Sequence, residues 1–339
     1  MAERKATSAD VANRAGVSRT TVSFVLNNTP GKNIPDGTRR KVLQAARELG
    51  FVPNEKARDV AMIKHHSIGF FIPHAGYISS DAYIIRVIEG MTPVLNKNRF
   101  QLVLQPLKLQ EKDYMSRARQ DSVDGIILMN THDDDKGLAE LITARFPLVV
   151  IGTISHPGVL QIDIDNQSAA RSAVEYLVSL GHRDVAMILH APSSYYAARD
   201  RFEGYRAALE SAGCVVRKGW VRSADLTEES GYKAMVEILT EEKRPTAVFA
   251  GNDVVAYGAM QAIKDAGLGI PADISIVGFD DDLPSRYVNP PLTTVTNPAP
   301  SLGAEAARLL IGVLRGHAAL EPAPPLPMLL AVRDSCRPL

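Results

Sequence analysis

The sequence predicts an α/β protein in two parts: a small all-α headpiece, then two Rossmann-like α/β subdomains in tandem. Three observations predict it. Residues 7–27 (TSADVANRAGVSRTTVSFVLN) carry apolar residues at helical spacing on both sides of a single glycine. From residue 67 onward, short β-rich apolar runs alternate with helical stretches, and the alternation starts again in the second half. The charge is split. Residues 1–66 hold 12 Lys/Arg against 6 Asp/Glu, net +6, while the remainder holds 26 against 32, net −6. A basic head on an acidic body suits phosphate contact by the head alone.

The headpiece elements follow from local chemistry. Ser8 is a good N-cap, and Asp10 puts negative charge at the positive end of the first helix. Val11, Ala12 and Ala15 share one face, and Gly16 stops the helix. Ser18 caps a second helix with Val22, Val25 and Leu26 as its apolar stripe. Arg19, Thr20, Ser23 and Phe24 are left pointing outward. This is the layout of a helix-turn-helix, whose second helix enters the major groove. An ordinary corner between two helices would share the pattern. A turn-rich linker, NTPGKNIPDG, comes next. Thr38 is expected to cap a third helix over residues 39–49, with Gly50 ending it and Phe51 plugging the base. Pro53 and Asn54 break the chain. Residues 55–62 (EKARDVAM) form at most a short helix with little apolar area, which folds only when something else holds it.

In the body, strands are expected at residues 68–72, 100–104, 125–129, 148–151 and 161–164, then at 185–189, 247–250 and 275–279. Helices fall at 83–96, 112–121, 138–144, 166–180, 198–212, 227–239, 255–266 and 301–315. Continuous apolar runs between helices argue for parallel sheets covered on both faces. Ligands in such folds sit at the carboxyl ends of the strands, here in the cleft between the lobes. The tail from Pro322 is proline-rich, and Trp220 has no evident place.

Composition narrows the class. A chain of 339 residues exceeds one typical domain, and 45% hydrophobic with 22% charged residues is the balance of a soluble globular protein. Cys214 and Cys336 make neither a disulfide framework nor a metal spacing. No apolar run is long enough for a membrane span and no signal-peptide core opens the chain, so a cytoplasmic protein is expected. A dinucleotide-dependent enzyme would need G-x-G-x-x-G after the first strand, where PHAGYISSD stands instead. With no nucleophile–base pair or metal cluster, neither enzymatic activity nor a cofactor is expected. A sugar-binding transport protein would lack residues 1–62 and carry a signal peptide.

The motifs resemble the lactose-repressor (LacI/GalR) family of bacterial transcription regulators over nearly the whole chain. The matching blocks are DVANRAGVSRTTVSFVLN at residues 10–27, TRRKVLQAARELGFVPN at 38–54, SIGFFIP at 67–73 and VDGIIL at 123–128. They continue with IDN at 164–166, LGHRDVAMI at 180–188, RFEGY at 201–205 and RPTAVFAGND at 244–253. ADISIVGFDD at 272–281, PPLTTV at 290–295 and VRDS at 332–335 complete the set.

The resemblance implies a helix-turn-helix headpiece over 1–53, a hinge helix or linker over 54–64, and an effector-binding and dimerisation domain over 65–339. That domain would be of periplasmic-binding-protein type. Its N-subdomain would take about 65–163 and 294–324, its C-subdomain about 164–292 and 326–339, with crossings near Asp163, Leu292 and Pro325. The implied function is a sequence-specific DNA-binding regulator, a repressor, acting as a homodimer on a palindromic operator. A small-molecule effector in the cleft would control it. That effector is expected to be a sugar or sugar derivative, with a purine, nucleoside or other non-sugar co-repressor as the alternative. The leucine-heptad helix of tetrameric members is not seen after Arg333, which favours a dimer.

The resemblance also nominates residues. DNA contact is assigned to Ser8, Arg19, Thr20, Thr21, Ser23, Phe24 and Asn27 in the headpiece, and to Ala57, Arg58 and Val60 in the hinge. Arg19 can donate twice to a guanine edge and Thr20 can meet a thymine methyl. Phe24 departs from the Arg or His of many members and offers only apolar contact. Val60 stands where many members have a leucine that wedges into the minor groove. Effector contact is assigned to Arg201, Asn252 and Asp280, with Tyr83, Asn166 and Leu226 beside them. An arginine, a carboxylate and an amide can fix several sugar hydroxyls. Leu226 replaces an aromatic residue common in sugar-binding members.

Overall fold

The chain divides into two units, Met1–His65 and His66–Leu339. The computed structural model describes residues 6–26, 34–51, 66–73, 82–108, 113–129, 131–132, 135–156, 158–316, 326 and 328–339.

Three helices make the described part of the headpiece: α1 (Ser8–Ala15), α2 (Arg19–Leu26) and α3 (Asp36–Glu48). The cap of α1 is Thr7, not Ser8 as expected. Thr7 is extended, so its Oγ1 can fold back to accept from the Asp10 backbone N–H at 3.3 Å, while Asp10 Oδ2 accepts from the Thr7 N–H at 2.8 Å. Ser8 is already the first helical residue. This reciprocal pair is a capping box. Gly16 closes the helix at φ 67°, a left-handed conformation that costs a glycine little. Ser18 Oγ accepts from the Thr21 N–H at 3.1 Å, as a cap of α2 should. The third helix begins at Asp36 behind Pro35, whose ring pre-sets φ, so Thr38 lies inside the first turn rather than capping it. Val11, Val22, Val25 and Val42 form a closed core, with Leu49 and Phe51 packed against it.

The body contains two sheets. The first holds β1 (Ser67–Pro73), β2 (Gln101–Leu107), β3 (Gly125–Met129), β4 (Leu148–Ile151) and β5 (Leu160–Ile162), all parallel in the order 2-1-3-4-5. Helices α4 (Ala82–Lys97), α5 (Tyr114–Gln120) and α6 (Lys136–Thr143) alternate with them. The second holds β6 (Val185–Leu189), β7 (Val221–Ser223), β8 (Ala247–Ala250), β9 (Ser275–Asp280), β10 (Thr293–Thr296) and β11 (Leu329–Ala331), in the order 11-10-9-8-6-7. Its helices are α7 (Asn166–Ser179), α8 (Tyr196–Ser211), α9 (Glu228–Leu239) and α10 (Asp253–Asp265). Strands β3, β4, β6, β8 and β9 are buried along their whole length, the mark of parallel strands covered on both faces.

Helix α11 (Ala299–Leu314) packs on α4 of the first sheet's lobe. The two backbones touch at glycines. A Cβ on Gly90 would lie 1.8 Å from Pro300 O, and one on Gly303 would lie 2.0 Å from Val87 O. No other residue fits either position.

One expectation about the C-terminal part is corrected. Residues 294–296 belong to the second sheet, because β10 pairs with β9 from Thr293↔Val277 to Thr296↔Asp280. The chain therefore crosses to α11 at Asn297–Pro298 and not near Leu292. The proline-rich tail contributes a strand, β11, antiparallel to β10 at the sheet edge. Pro325 lies outside the described residues, and Leu326 bridges Ile164 in parallel. Trp220 is buried in the second lobe, its Nε1–H donating to Lys243 O at 3.0 Å. Among the described residues no helix is long and apolar enough to cross a membrane.

Candidate functional site

The carboxyl ends of β3, β4, β6, β8 and β9 converge on one cavity of about 80 Å³ between the two sheets of the body. All six residues expected in the cleft line it: Tyr83, Asn166, Arg201, Leu226, Asn252 and Asp280. They arrive from α4, α7, α8, the loop after β7, the end of β8 and the end of β9.

Arg201 is the centre. It lies in the second turn of α8, which starts earlier than expected, at Tyr196. Its Nε donates to Asn166 Oδ1 at 2.9 Å, one terminal nitrogen donates to Gly251 O, and its plane lies 3.6 Å from the centroid of the Phe279 ring. Asn166 in turn donates from Nδ2 to Asp163 Oδ1 at 3.2 Å. Asp163 Oδ1 also accepts from the Ile164 N–H at 2.8 Å, and its Oδ2 accepts from Thr153 Oγ1 at 2.8 Å. A continuous chain of hydrogen bonds thus runs from Thr153 beside β4 to Gly251 beside β8, through the crossing between β5 and α7. Burial lowers the Arg201 pKa, against the opposing pull of Asp280, Tyr83, Asp163 and Asp253. Burial likewise raises that of Asp163.

Asp280 ends β9 with φ 119°, a strained value for a non-glycine residue. Its Oδ1 accepts from Asn297 Nδ2 at 2.9 Å. Its backbone is held from the other lobe. Arg86 of α4 donates to Asp280 O at 2.8 Å, Asp281 O at 3.1 Å and Asn297 O at 3.0 Å. These charge-assisted bonds offset the local strain. Burial pushes the Asp280 carboxyl up to about 6, with Arg201 and the Asn297 amide pulling it back. Asn252 spends its Oδ1 on the Val255 N–H at 2.9 Å as the N-cap of α10, so the side chain is first of all a cap. Leu226 takes φ 57° and donates its N–H to His190 O at 2.8 Å.

Sequence reasoning missed four lining residues that matter. Asp163 and Asn297 sit at two of the chain crossings, and His190 follows β6 directly. Asn297 Oδ1 and His190 Nδ1 are buried and make no hydrogen bond among the described residues. Burial, then the Arg201 charge, holds His190 well below its ordinary pKa and so uncharged. Tyr195, which precedes α8, is the fourth. The rule that ligands meet the carboxyl ends of parallel strands would have named His190 after VAMIL, had it been applied strand by strand.

On α2, Arg19, Thr20 and Ser23 are exposed, while Thr21 and Phe24 are half-buried. Thr21 Oγ1 lies 2.9 Å from Ser18 Oγ, so its hydroxyl belongs to the cap of α2. Ser8 is half-buried at the start of α1. Asn27, Ala57, Arg58 and Val60 lie outside the described residues. Among the described residues no group of His, Cys, Asp and Glu is placed to hold a metal.

Comparison with known proteins gives the same division. Residues 7–54 match the family model described as bacterial regulatory proteins, lacI family, and residues 174–336 match the periplasmic binding protein-like domain. The chain is 37% identical over 313 residues to the HTH-type transcriptional repressor PurR of Proteus mirabilis (strain HI4320), covering 90% of this chain and 89% of that one. Its fold is similar to a transcriptional regulator CelR–cellobiose complex, with TM-score 0.73 and 31% identity over 97% of this chain and 99% of that one. It is also similar to the lac repressor dimer bound to operator and the anti-inducer ONPF, with TM-score 0.74 and 28% identity over 98% of this chain and 100% of that one.

Proposed function

Since the chain belongs to the lacI family of bacterial regulatory proteins, we propose that it represses transcription as a homodimer on a roughly palindromic operator, released or tightened by a saccharide in the cleft. The observation that carries this reading is the convergence of Arg201, Asn166, Asp280 and Asn252 on one buried cavity between the two sheets, in a chain that also carries an exposed recognition face on α2. Hydroxyl-rich ligands suit a site with fixed donors and acceptors framed by apolar walls such as Met129, Ile151 and Leu226. The similarity to a regulator solved with cellobiose supports a saccharide.

The division of labour follows. Residues 1–53 read DNA. Arg19 and Thr20 read base edges, and Ser8, Thr21, Ser23, Phe24 and Asn27 supply the further DNA contacts. Residues 54–64 are the hinge, in which Ala57, Arg58 and Val60 of two protomers enter the minor groove. Residues 65–339 bind the effector and the second protomer. The effector shifts operator affinity only by its differential affinity for the two states, and a tenfold effect needs about 1.4 kcal/mol.

Two experiments test this. Footprinting upstream of the protein's own gene should reveal two half-sites related by a two-fold axis, because an isologous dimer presents two recognition helices. A single unrepeated half-site at full affinity would refute the dimer. Gel shifts on that site, with and without the saccharide that raises the melting temperature, should show at least a several-fold change in affinity.

A further inference from the structure

We propose that the cleft selects an uncharged saccharide over acidic or phosphorylated derivatives of the same skeleton, and that Asp163 is the residue that enforces this choice. The proposal rests on the reading of the cleft as a saccharide site.

Among the described residues lining the cavity, Arg201 is the only cation, and Asp163 and Asp280 are both carboxylates. The guanidinium is partly engaged, with two of its donors used inside the protein. It is bonded to Asn166 Oδ1 and Gly251 O, and one face is covered by Phe279. His190 stays neutral beside it. An acidic ligand would bring a third negative charge to a site lined by one cation, with Arg86 held behind it on the Asp280, Asp281 and Asn297 carbonyls, and poor solvation makes added negative charge costly there.

The unsatisfied atoms point the same way. Asn297 gives its Nδ2 to Asp280 Oδ1, which fixes the amide orientation and leaves Oδ1 as a buried acceptor with no partner among the described residues. A lone acceptor next to a carboxylate calls for donors. Hydroxyl groups supply them, whereas a carboxylate or phosphate dianion offers only more acceptors.

Asp163 cannot turn its charge away. Its two oxygens accept from Ile164 N, Asn166 Nδ2 and Thr153 Oγ1. An asparagine there would keep these contacts, with Oδ1 accepting the first two and Nδ2 donating to the Thr153 hydroxyl. Asp163→Asn therefore removes charge while holding shape.

The test is titration calorimetry on the full-length protein. Glucose, galactose and cellobiose are compared with glucuronate, galacturonate, glucose 6-phosphate and cellobionate. The wild type should bind a neutral member on the order of tenfold or more tightly than its acidic counterpart, and Asp163→Asn should narrow that gap about tenfold, mainly by gaining affinity for the acidic member. An acidic derivative that binds the wild type as tightly as its neutral parent overturns the proposal and leaves the saccharide site intact. An unchanged gap in Asp163→Asn overturns the role of Asp163. No binding by either class overturns the underlying saccharide reading. Should the variant fail to fold, the wild type still decides. Binding of an acidic derivative must then draw a proton from solution, read from buffers of different ionisation enthalpy, and tight binding without proton uptake overturns the proposal.

Discussion

Arg19, Thr20 and Ser23 stand exposed on α2, whereas Arg201 and Asn166 are buried and, with half-buried Asp163, form a chain of mutual hydrogen bonds. Both groups are polar and both are assigned to binding, yet their side chains carry different burdens. The headpiece is held together by Val11, Val22, Val25 and Val42, so its recognition face owes little to its own fold. The cleft residues join β4, β8, α7 and α8, so changing them alters structure and binding together. Recognition of a partner that arrives from solution is separable from stability in the first region. Recognition of an enclosed ligand is not separable in the second.

The sharpest way to break this contrast is Arg201→Ala. It leaves Asp163 and Asp280 without their shared cation and orphans Asn166 Oδ1 and Gly251 O. The expected loss is about 3–5 kcal/mol of stability, read by denaturant unfolding of the full chain. Arg19→Ala should leave the unfolding curve in place. Its effect belongs to DNA: roughly 1–3 kcal/mol on the operator and relaxed specificity at one base pair. Equal loss on all sequences would make Arg19 a phosphate contact. Operator affinity of the wild type should also fall steeply with salt, because several of the 12 basic residues in 1–66 displace counterions.

A smaller effect sharpens the comparison through pH. The Asp280 pKa is raised from 3.8 to about 6, so its ionised form costs the folded state free energy. That cost is absent below about pH 4, grows up to about pH 6 and is complete above it. Effector hydroxyls donate to the ionised carboxylate, so the sign for binding is opposite: affinity should fall as pH drops below about 6, approaching tenfold per unit. Calorimetry at pH 5 and pH 7 checks this, and a flat profile would remove Asp280 from the contact set.

Much of the fold is legible in the sequence. Periodicity placed α1, α2, β3, β4, β6 and β8 because each is uniformly apolar or cleanly amphipathic and is bounded by glycine or polar turns. The family motifs brought six cleft residues to one cavity. What escaped the sequence depends on contacts distant along the chain. The short strands β7, β10 and β11 have weak patterns of their own and form only because a neighbouring edge pairs with them. Thr7 is not distinguishable from Ser8 as a cap by residue type, and only the extended entry of the chain separates them. Asp163, His190 and Asn297 lie in crossings and strand ends without periodicity, and Arg86 acts across 194 residues of sequence.

The most direct test is the effector response of Asp280→Asn in the full chain, measured by gel shift on the footprinted operator across a titration of the saccharide that stabilises the wild type. The variant should bind the operator within about twofold of wild type and show no shift with saccharide. A variant that responds to the saccharide at wild-type concentrations would show that the ligand sits elsewhere, and that Asp280 is only the strained end of β9.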